Sequence, residues 1–188
     1  MDRIELRFAG FGGQGIILAG YIVGKAASIY DKKNATLTQS YGPESRGGAC
    51  SAGVVIAETA VHYPNPVKPS ILVLMSQEAC TKFECEMPDN SIILIDEDLV
   101  KPQYLNNTAQ IYAIPSTRMA ETLGRKIVAN IVMLGFFAAV TKIVNAESLK
   151  QAIASTVPRG TEELNLKAFQ SGYDHGLNAK PLDVKVQR

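Results

Sequence analysis

The stretch Gly10-Phe11-Gly12-Gly13-Gln14-Gly15 decides the fold. Ahead of it, in Arg3-Ile4-Glu5-Leu6-Arg7-Phe8-Ala9, the apolar Ile4, Leu6 and Phe8 alternate with charged neighbours. That is the pattern of a strand with one better-buried face. Behind it, residues 16–27 run without proline and carry apolar side chains at helical spacing. The glycines therefore stand where a strand turns into a helix. Without a Cβ they allow positive φ and let a ligand approach the backbone closely. The new helix presents unpaired N–H groups and the positive end of its dipole. The stretch predicts a site for a phosphate or another anion, set against a tight strand–helix turn that holds no ligand.

Gly10, Gly12 and Gly15 fit G-x-G-x-x-G. A dinucleotide site also requires an acid at the end of the second strand, to hold a ribose. That strand is predicted at residues 35–39 and ends in Gln39-Ser40-Tyr41, while Asp31 precedes it at the wrong end. The NAD reading therefore lacks its second half.

The whole chain sets bounds on function. Its 188 residues suit one domain with a substantial core, expected over residues 1–180 with a tail at 181–188. A net charge of +1 gives no reason to expect nucleic acid or an anionic membrane as partner. The longest apolar run, residues 127–140, contains Asn130 and falls short of the roughly 20 residues of a membrane span. Met1-Asp2-Arg3 leads straight into a strand, with no signal peptide expected. Cys50, Cys80 and Cys85 form an odd set, which favours reduced thiols and a cytoplasmic setting over a disulfide framework.

Further along, residues 49–57 are small and apolar and predict a buried strand, with 60–63 returning beside it. Pro64, Pro66 and Pro69 then block regular structure. Continuous apolar runs at 70–75 and 91–96 predict strands covered on both faces, and 110–114 a last one. A helix is predicted over 77–86, capped by Ser76. Beyond Pro115 the pattern is helical, over 116–123, 126–144, 147–156 and from 161 onward. Strands alternating with helices argue for an α/β fold, a mostly parallel sheet with helices on both faces. Ligands of such sheets bind beyond the carboxyl ends of the strands.

A second constellation follows the second strand: Ser40-Tyr41-Gly42-Pro43-Glu44-Ser45-Arg46-Gly47-Gly48. It leaves a strand at the same end as the glycine loop does, so both should face one crevice. Arg46 is suited to grip a phosphate or carboxylate through two parallel hydrogen bonds. The plain alternative is a solvated loop in which Glu44 and Arg46 pair.

Together, Gly-x-Gly-Gly-Gln-Gly near the N-terminus, then Ser-Tyr-Gly-Pro-Glu-Ser-Arg-Gly-Gly, then a small-residue strand resemble the gamma subunit of 2-oxoacid:ferredoxin (acceptor) oxidoreductases. The motifs span residues 4–75, and length and element order extend the resemblance over the chain. It implies a Rossmann-like three-layer sandwich within a multi-subunit enzyme. That enzyme decarboxylates a 2-oxoacid on thiamine diphosphate, passes electrons through iron–sulfur clusters to ferredoxin or another acceptor, and releases an acyl-CoA. The implied partners are alpha, beta and ferredoxin-like delta subunits, with a homodimer open for the lone chain. The resemblance also implies that this piece shapes the active site and coenzyme A access. On that basis Gly12, Gly13, Gln14 and Gly15, with Ser40, Tyr41, Arg46 and Gly47, are the ligand-proximal positions. The implied substrate is 2-oxoglutarate first, then pyruvate and branched-chain 2-oxoacids.

The sequence has no Gly-Asp-Gly ahead of Asn106-Asn107, the thiamine signature of the beta subunit, and no run of closely spaced cysteines. Thiamine diphosphate, Mg²⁺ and the clusters are therefore expected on partner subunits, and the isolated chain is expected to be inactive. Two other readings remain: an independent NAD(P)- or flavin-binding oxidoreductase, and an adaptor with a vestigial ligand site. Asp96-Glu97-Asp98 closes a strand at a ligand-facing end, where a solvated turn with a helix cap is preferred over a Mg²⁺ site. The run 127–140 is apolar nearly all round, so it is either enclosed by its own domain or covered by a partner. The expectation taken here is that it supports association.

Overall fold

A computed structural model describes residues 3–41, 49–83, 88–102, 105 and 109–183. Strand β1 (Arg3–Phe11) lies near the middle of a six-stranded sheet of order β2-β3-β1-β4-β5-β6. The others are β2 (Asn34–Ser40), β3 (Ala49–Ala57), β4 (Ile71–Leu74), β5 (Ile92–Asp96) and β6 (Gln110–Ile114). β1, β4, β5 and β6 run parallel, and β3 runs antiparallel to both β1 and β2. β2 thus points the same way as β1, with one reversed strand between them. The stretch 60–63 forms no returning strand. Pro64 and Pro66 withhold N–H donors just beyond it, and both edges of β3 are already paired.

Side chains on the strands alternate between two cores, as the pleat requires. Leu6 and Phe8 of β1, Ile71 and Val73 of β4 and Leu94 of β5 face the larger one. There they meet α1 (Ile16–Lys25), α3 (Ser116–Thr122), α4 (Ala129–Thr141), α5 (Ala146–Ala154) and α6 (Glu162–Leu177). Ala9, Leu72, Leu74, Ile93 and Ile95 face the smaller core, closed by α2 (Gln77–Phe83) and by Val100 and Leu105. Helices therefore cover both faces, unequally. A π-helical turn, Ala26–Tyr30, continues α1, and a 3₁₀ turn, Lys126–Val128, precedes α4.

α4 corrects one expectation. Every residue from Ala129 to Ala139 is buried. Phe137 meets Phe8 of the sheet with ring centroids 5.6 Å apart. On the other side α6 lies so close that a Cβ on Gly172 would fall 1.9 Å from the Val132 carbonyl oxygen, and one on Gly135 the same distance from that of Phe169. The helix is apolar all round because its own domain encloses it, and of the run 127–140 Ile127, ahead of the helix, is the residue left strongly exposed, so α4 itself is not a surface for association.

The C-terminal segment is less of a tail than its composition suggests. Ala179 packs against the large core, and the Leu182 N–H donates to the Ile111 carbonyl at 2.7 Å, along the outer side of β6.

Candidate functional site

The glycine loop leaves the carboxyl end of β1 and becomes α1 within four residues, Gly12 to Gly15. Gly13 (φ 97°) and Gly15 (φ 72°) both adopt left-handed backbone, where a side chain would be strained. Nothing lies within 4 Å of the place a Cβ on Gly13 would occupy, so the loop has an open side there. Gly15 faces the opposite situation. The Asn130 amide of α4 donates to the Gly15 carbonyl at 3.1 Å, and a Cβ on Gly15 would come within 2.3 Å of that nitrogen.

Gln14 pins the loop. Its side-chain oxygen accepts from the Phe11 N–H at 2.6 Å, and its amide nitrogen donates to the Met75 carbonyl at 2.7 Å. Met75 follows β4, so this one side chain ties together the loops that leave two adjacent parallel strands, β1 and β4, at the point where the strand order turns back on itself. Ligand crevices of open α/β sheets form at such a point. Gln14, expected near the ligand, has a structural role in the loop, because its side chain is bonded at both ends to the backbone.

Two hollows open on either side of Ile127, which is 71% exposed. One, of about 320 Å³, is bounded by Gly13, Gly15 and Leu18 of the loop and α1, by Arg125, Val128 and Asn130, and by Val157, Pro158 and Leu164. The other, of about 280 Å³, is bounded by Gly13, Gln14, Met75, Thr117 and Lys126. Their walls are largely apolar, with cationic side chains at the rim. The Arg125 guanidinium has no ion pair among the described residues, while Lys126 lies 3.5 Å from the Glu121 carboxylate. The sequence reading missed Arg125, Lys126 and Asn130. No motif marks them, and they reach the loop only because α4 packs beside α1.

Ser40 and Tyr41 leave β2 at the same sheet edge as the glycine loop, with β3 between them. Tyr41 is 69% exposed and its hydroxyl donates to Gln39 at 2.7 Å, where a dinucleotide site would carry its ribose-binding acid. Arg46 and Gly47 lie outside the described residues, as do Cys85, Asn106 and Asn107. Among the described residues Cys50 and Cys80 are buried, and burial pushes the Cys50 thiol above its ordinary pKa.

Asp96 forms a helix cap, as preferred above, but a buried one. It is fully enclosed and accepts from the Ser116 hydroxyl (2.5 Å), the Thr117 hydroxyl (2.7 Å) and the Thr117 N–H (3.0 Å), while its second oxygen takes the Asp98 N–H (3.1 Å). Its oxygens hold β5, the following turn and the start of α3 in one arrangement. The solvated part of the motif is Glu97 and Asp98, which flank Arg118 at 3.0 and 3.4 Å.

Residues 5–175 match the family described as pyruvate ferredoxin/flavodoxin oxidoreductase. The chain is 50% identical over 174 residues to the 2-oxoglutarate synthase subunit KorC of Methanocaldococcus jannaschii, covering 92% of this chain and 93% of that protein. It also resembles the solved gamma subunit of a keto/oxoacid ferredoxin oxidoreductase from Geobacter sulfurreducens. There the TM-score is 0.86 and identity 42%, across 96% of this chain and 99% of that one. The fold recurs in the 2-oxoglutarate:ferredoxin oxidoreductase of Magnetococcus marinus at a TM-score of 0.86 and 18% identity, covering 100% of this chain and 33% of that one.

Proposed function

The chain belongs to the pyruvate ferredoxin/flavodoxin oxidoreductase family, and we propose that it is the gamma subunit of a 2-oxoglutarate:ferredoxin oxidoreductase that guides coenzyme A to a reaction centre held by its partners. The choice of 2-oxoglutarate is supported by the half of aligned residues shared with a 2-oxoglutarate synthase subunit. The same work of oxidative decarboxylation to an acyl-CoA fits the gamma-subunit likeness. Residues 1–180 act as one gamma domain in a cytoplasmic complex. The alpha, beta and ferredoxin-like delta subunits carry thiamine diphosphate, Mg²⁺ and the iron–sulfur clusters. No helix among the described residues is long and apolar enough to cross a membrane.

The observation that carries the coenzyme A reading is the open side of the glycine loop at the β1–β4 crevice. Coenzyme A has an anionic phosphate end and a long, weakly polar arm. The residues fit both parts. The start of α1 supplies backbone donors and a dipole for phosphate, and Arg125 supplies a full charge, to which the proposal adds that of Arg46. The hollow beside Ile127 and Leu18 has apolar walls for the arm. When bound, coenzyme A supplies the thiol that receives the acyl group. This chain's own residues bind, orient and screen it.

Steady-state kinetics on the assembled complex test the reading. Arg46→Ala removes a charge-assisted hydrogen bond, a loss of about 1.5–3 kcal/mol. The apparent KM for coenzyme A should rise on the order of tenfold to hundredfold. Arg46→Lys should recover only part of this, because an ammonium cannot make the planar two-pronged contact. Decarboxylation of 2-oxoglutarate without coenzyme A should change much less. An unchanged coenzyme A dependence makes the loop a subunit contact and ends the coenzyme A assignment.

A further inference from the structure

The two edges of the sheet are finished differently. At β6 the C-terminal segment lies along the outer side, with the Leu182 N–H on the Ile111 carbonyl. At the opposite edge β2 pairs with β3 alone, and no other strand among the described residues pairs with its outer side. Its seven residues, Asn34-Ala35-Thr36-Leu37-Thr38-Gln39-Ser40, contain no charge and no proline, and they stay in unbroken register with β3. Exposed edges are normally blunted by charges, prolines or bulges. β2 has none of these.

What surrounds β2 specifies its partner. On the helical side Tyr21 and Ile29, 47% and 54% exposed, stand beside Ala35 and Leu37 around a shallow hollow that Lys25 also lines, its ammonium donating to the Ser155 carbonyl and the Thr156 hydroxyl. On the other side Thr36 and Thr38 already bond to the Pro64 and Gly53 carbonyls and present no charge. Lys33 and Glu58, at the start of the strand, lie 3.9 Å from each other. The free backbone groups call for another strand, and the flanks call for an uncharged one with apolar company on the helical side. β2 itself meets both conditions. Two copies running antiparallel about a two-fold axis at Leu37 would set Leu37 against Leu37 and Thr36 against Thr38, pairings that favour a sheet.

We propose that β2 is a self-pairing edge that joins two copies of this chain into one continuous sheet, with Tyr21 and Ile29 of both copies closing over the seam. The seat of self-association moves from α4, which is enclosed, to the uncovered edge. The inference is independent of the coenzyme A reading, since the glycine loop lies at the strand ends rather than along β2.

The test is light scattering and sedimentation of the full chain over a concentration series, with hydrogen exchange on the 34–40 amides. The expected result is a dimer whose dissociation constant rises at least about tenfold in Tyr21→Lys and in Ile29→Lys, with thermal unfolding of the monomer unchanged. Exchange at 34–40 in the unmodified chain should slow as concentration rises. A monomer at every concentration, a dimer indifferent to both substitutions, or exchange at 34–40 independent of concentration would each overturn the proposal.

Discussion

Glycine serves opposite ends in two regions of this molecule. Between α4 and α6 the absent Cβ is replaced by backbone: carbonyl oxygens lie 1.9 Å from where side chains on Gly135 and Gly172 would begin. At Gly13 the absent Cβ is replaced by nothing, and the space stays open beside a helix N-terminus. The first arrangement brings two helix backbones into contact and fills the core. The second holds a gap against the general tendency of interiors to close-pack. A gap kept open at a strand's carboxyl end, where the strand order reverses between β1 and β4, is what a ligand site requires. The seam and the loop meet through Asn130, which sits in the first turn of α4 and bonds to Gly15.

The strongest way to break this comparison is Gly172→Ala. The new methyl can be accommodated only by driving α6 away from α4, and overpacking of this kind, against backbone, should cost more than about 3 kcal/mol in urea unfolding. A midpoint close to that of the unmodified chain would show that the helices slide apart freely, and the contrast with Gly13 would lose its basis.

Gln14→Ala comes next. It leaves the Phe11 N–H and the Met75 carbonyl without their partner, for a loss of about 1–3 kcal/mol. The β1 and β4 loops should separate, seen as faster hydrogen exchange at residues 11–16 while the α4–α6 seam remains protected. Equal loosening of both regions would mean that the loop is an extension of the core.

Gly13→Ala should be milder in stability and sharper in function. Forcing a side chain into left-handed backbone costs about 1–2 kcal/mol, a fall of roughly 2–4 °C in Tm per kcal/mol for a chain of this size. No neighbour is displaced. The apparent KM for coenzyme A in the assembled complex should nevertheless rise, since the methyl enters the open side. A stability loss with no change in coenzyme A dependence would make the open space incidental.

The smallest expected effect lies outside both regions, where charge rather than space does the anchoring. Glu5 accepts from Arg3 at 2.7 Å and from the Val67 and Lys68 N–H groups at 2.6 and 2.7 Å, holding the proline-rich segment against β1. Burial works to raise its pKa, but these bonds outweigh it and hold the carboxyl below its ordinary value of 4.5. The folded state therefore binds fewer protons than the unfolded one below that value. The contribution is complete above pH 4.5 and is lost as pH falls through the lower folded value. Glu5→Gln should flatten the acid limb of the stability curve and leave the neutral region parallel to the unmodified chain. An unaltered acid limb would assign that limb to other carboxylates.

Much of this was legible in the residues. Alternation in Arg3–Phe11, the glycines after it and the apolar run behind them predict β1, the loop and α1 in order. The continuous apolar strands β4 and β5 and the helical pattern beyond Pro115 follow from the same periodicity. The motif pair also pointed to the family. Three things were not legible. The antiparallel place of β3 depends on pairing between strands, which a small-residue run does not encode. The enclosure of α4 depends on α6 bringing glycines to meet it, whereas the apolarity of α4 is equally compatible with a partner's cover. The use of Gln14 depends on a carbonyl 61 residues away.

The sequence by itself determined the elements, their order, the strand–helix turn at Gly12–Gly15 and the class of chemistry those motifs accompany. These are local matters, set by side-chain period and by which residues tolerate positive φ. Only the tertiary structure decided what surrounds the turn: Asn130 on the Gly15 carbonyl from 115 residues away, Arg125 and Lys126 at the rim, and the open side at Gly13. It also decided that, among the described residues, the C-terminal segment lies along one edge of the sheet while β2 at the other pairs with β3 alone. Contacts across such distances are fixed by how helices and strands pack, where shape and backbone pairing act together, and no short stretch of sequence carries that information.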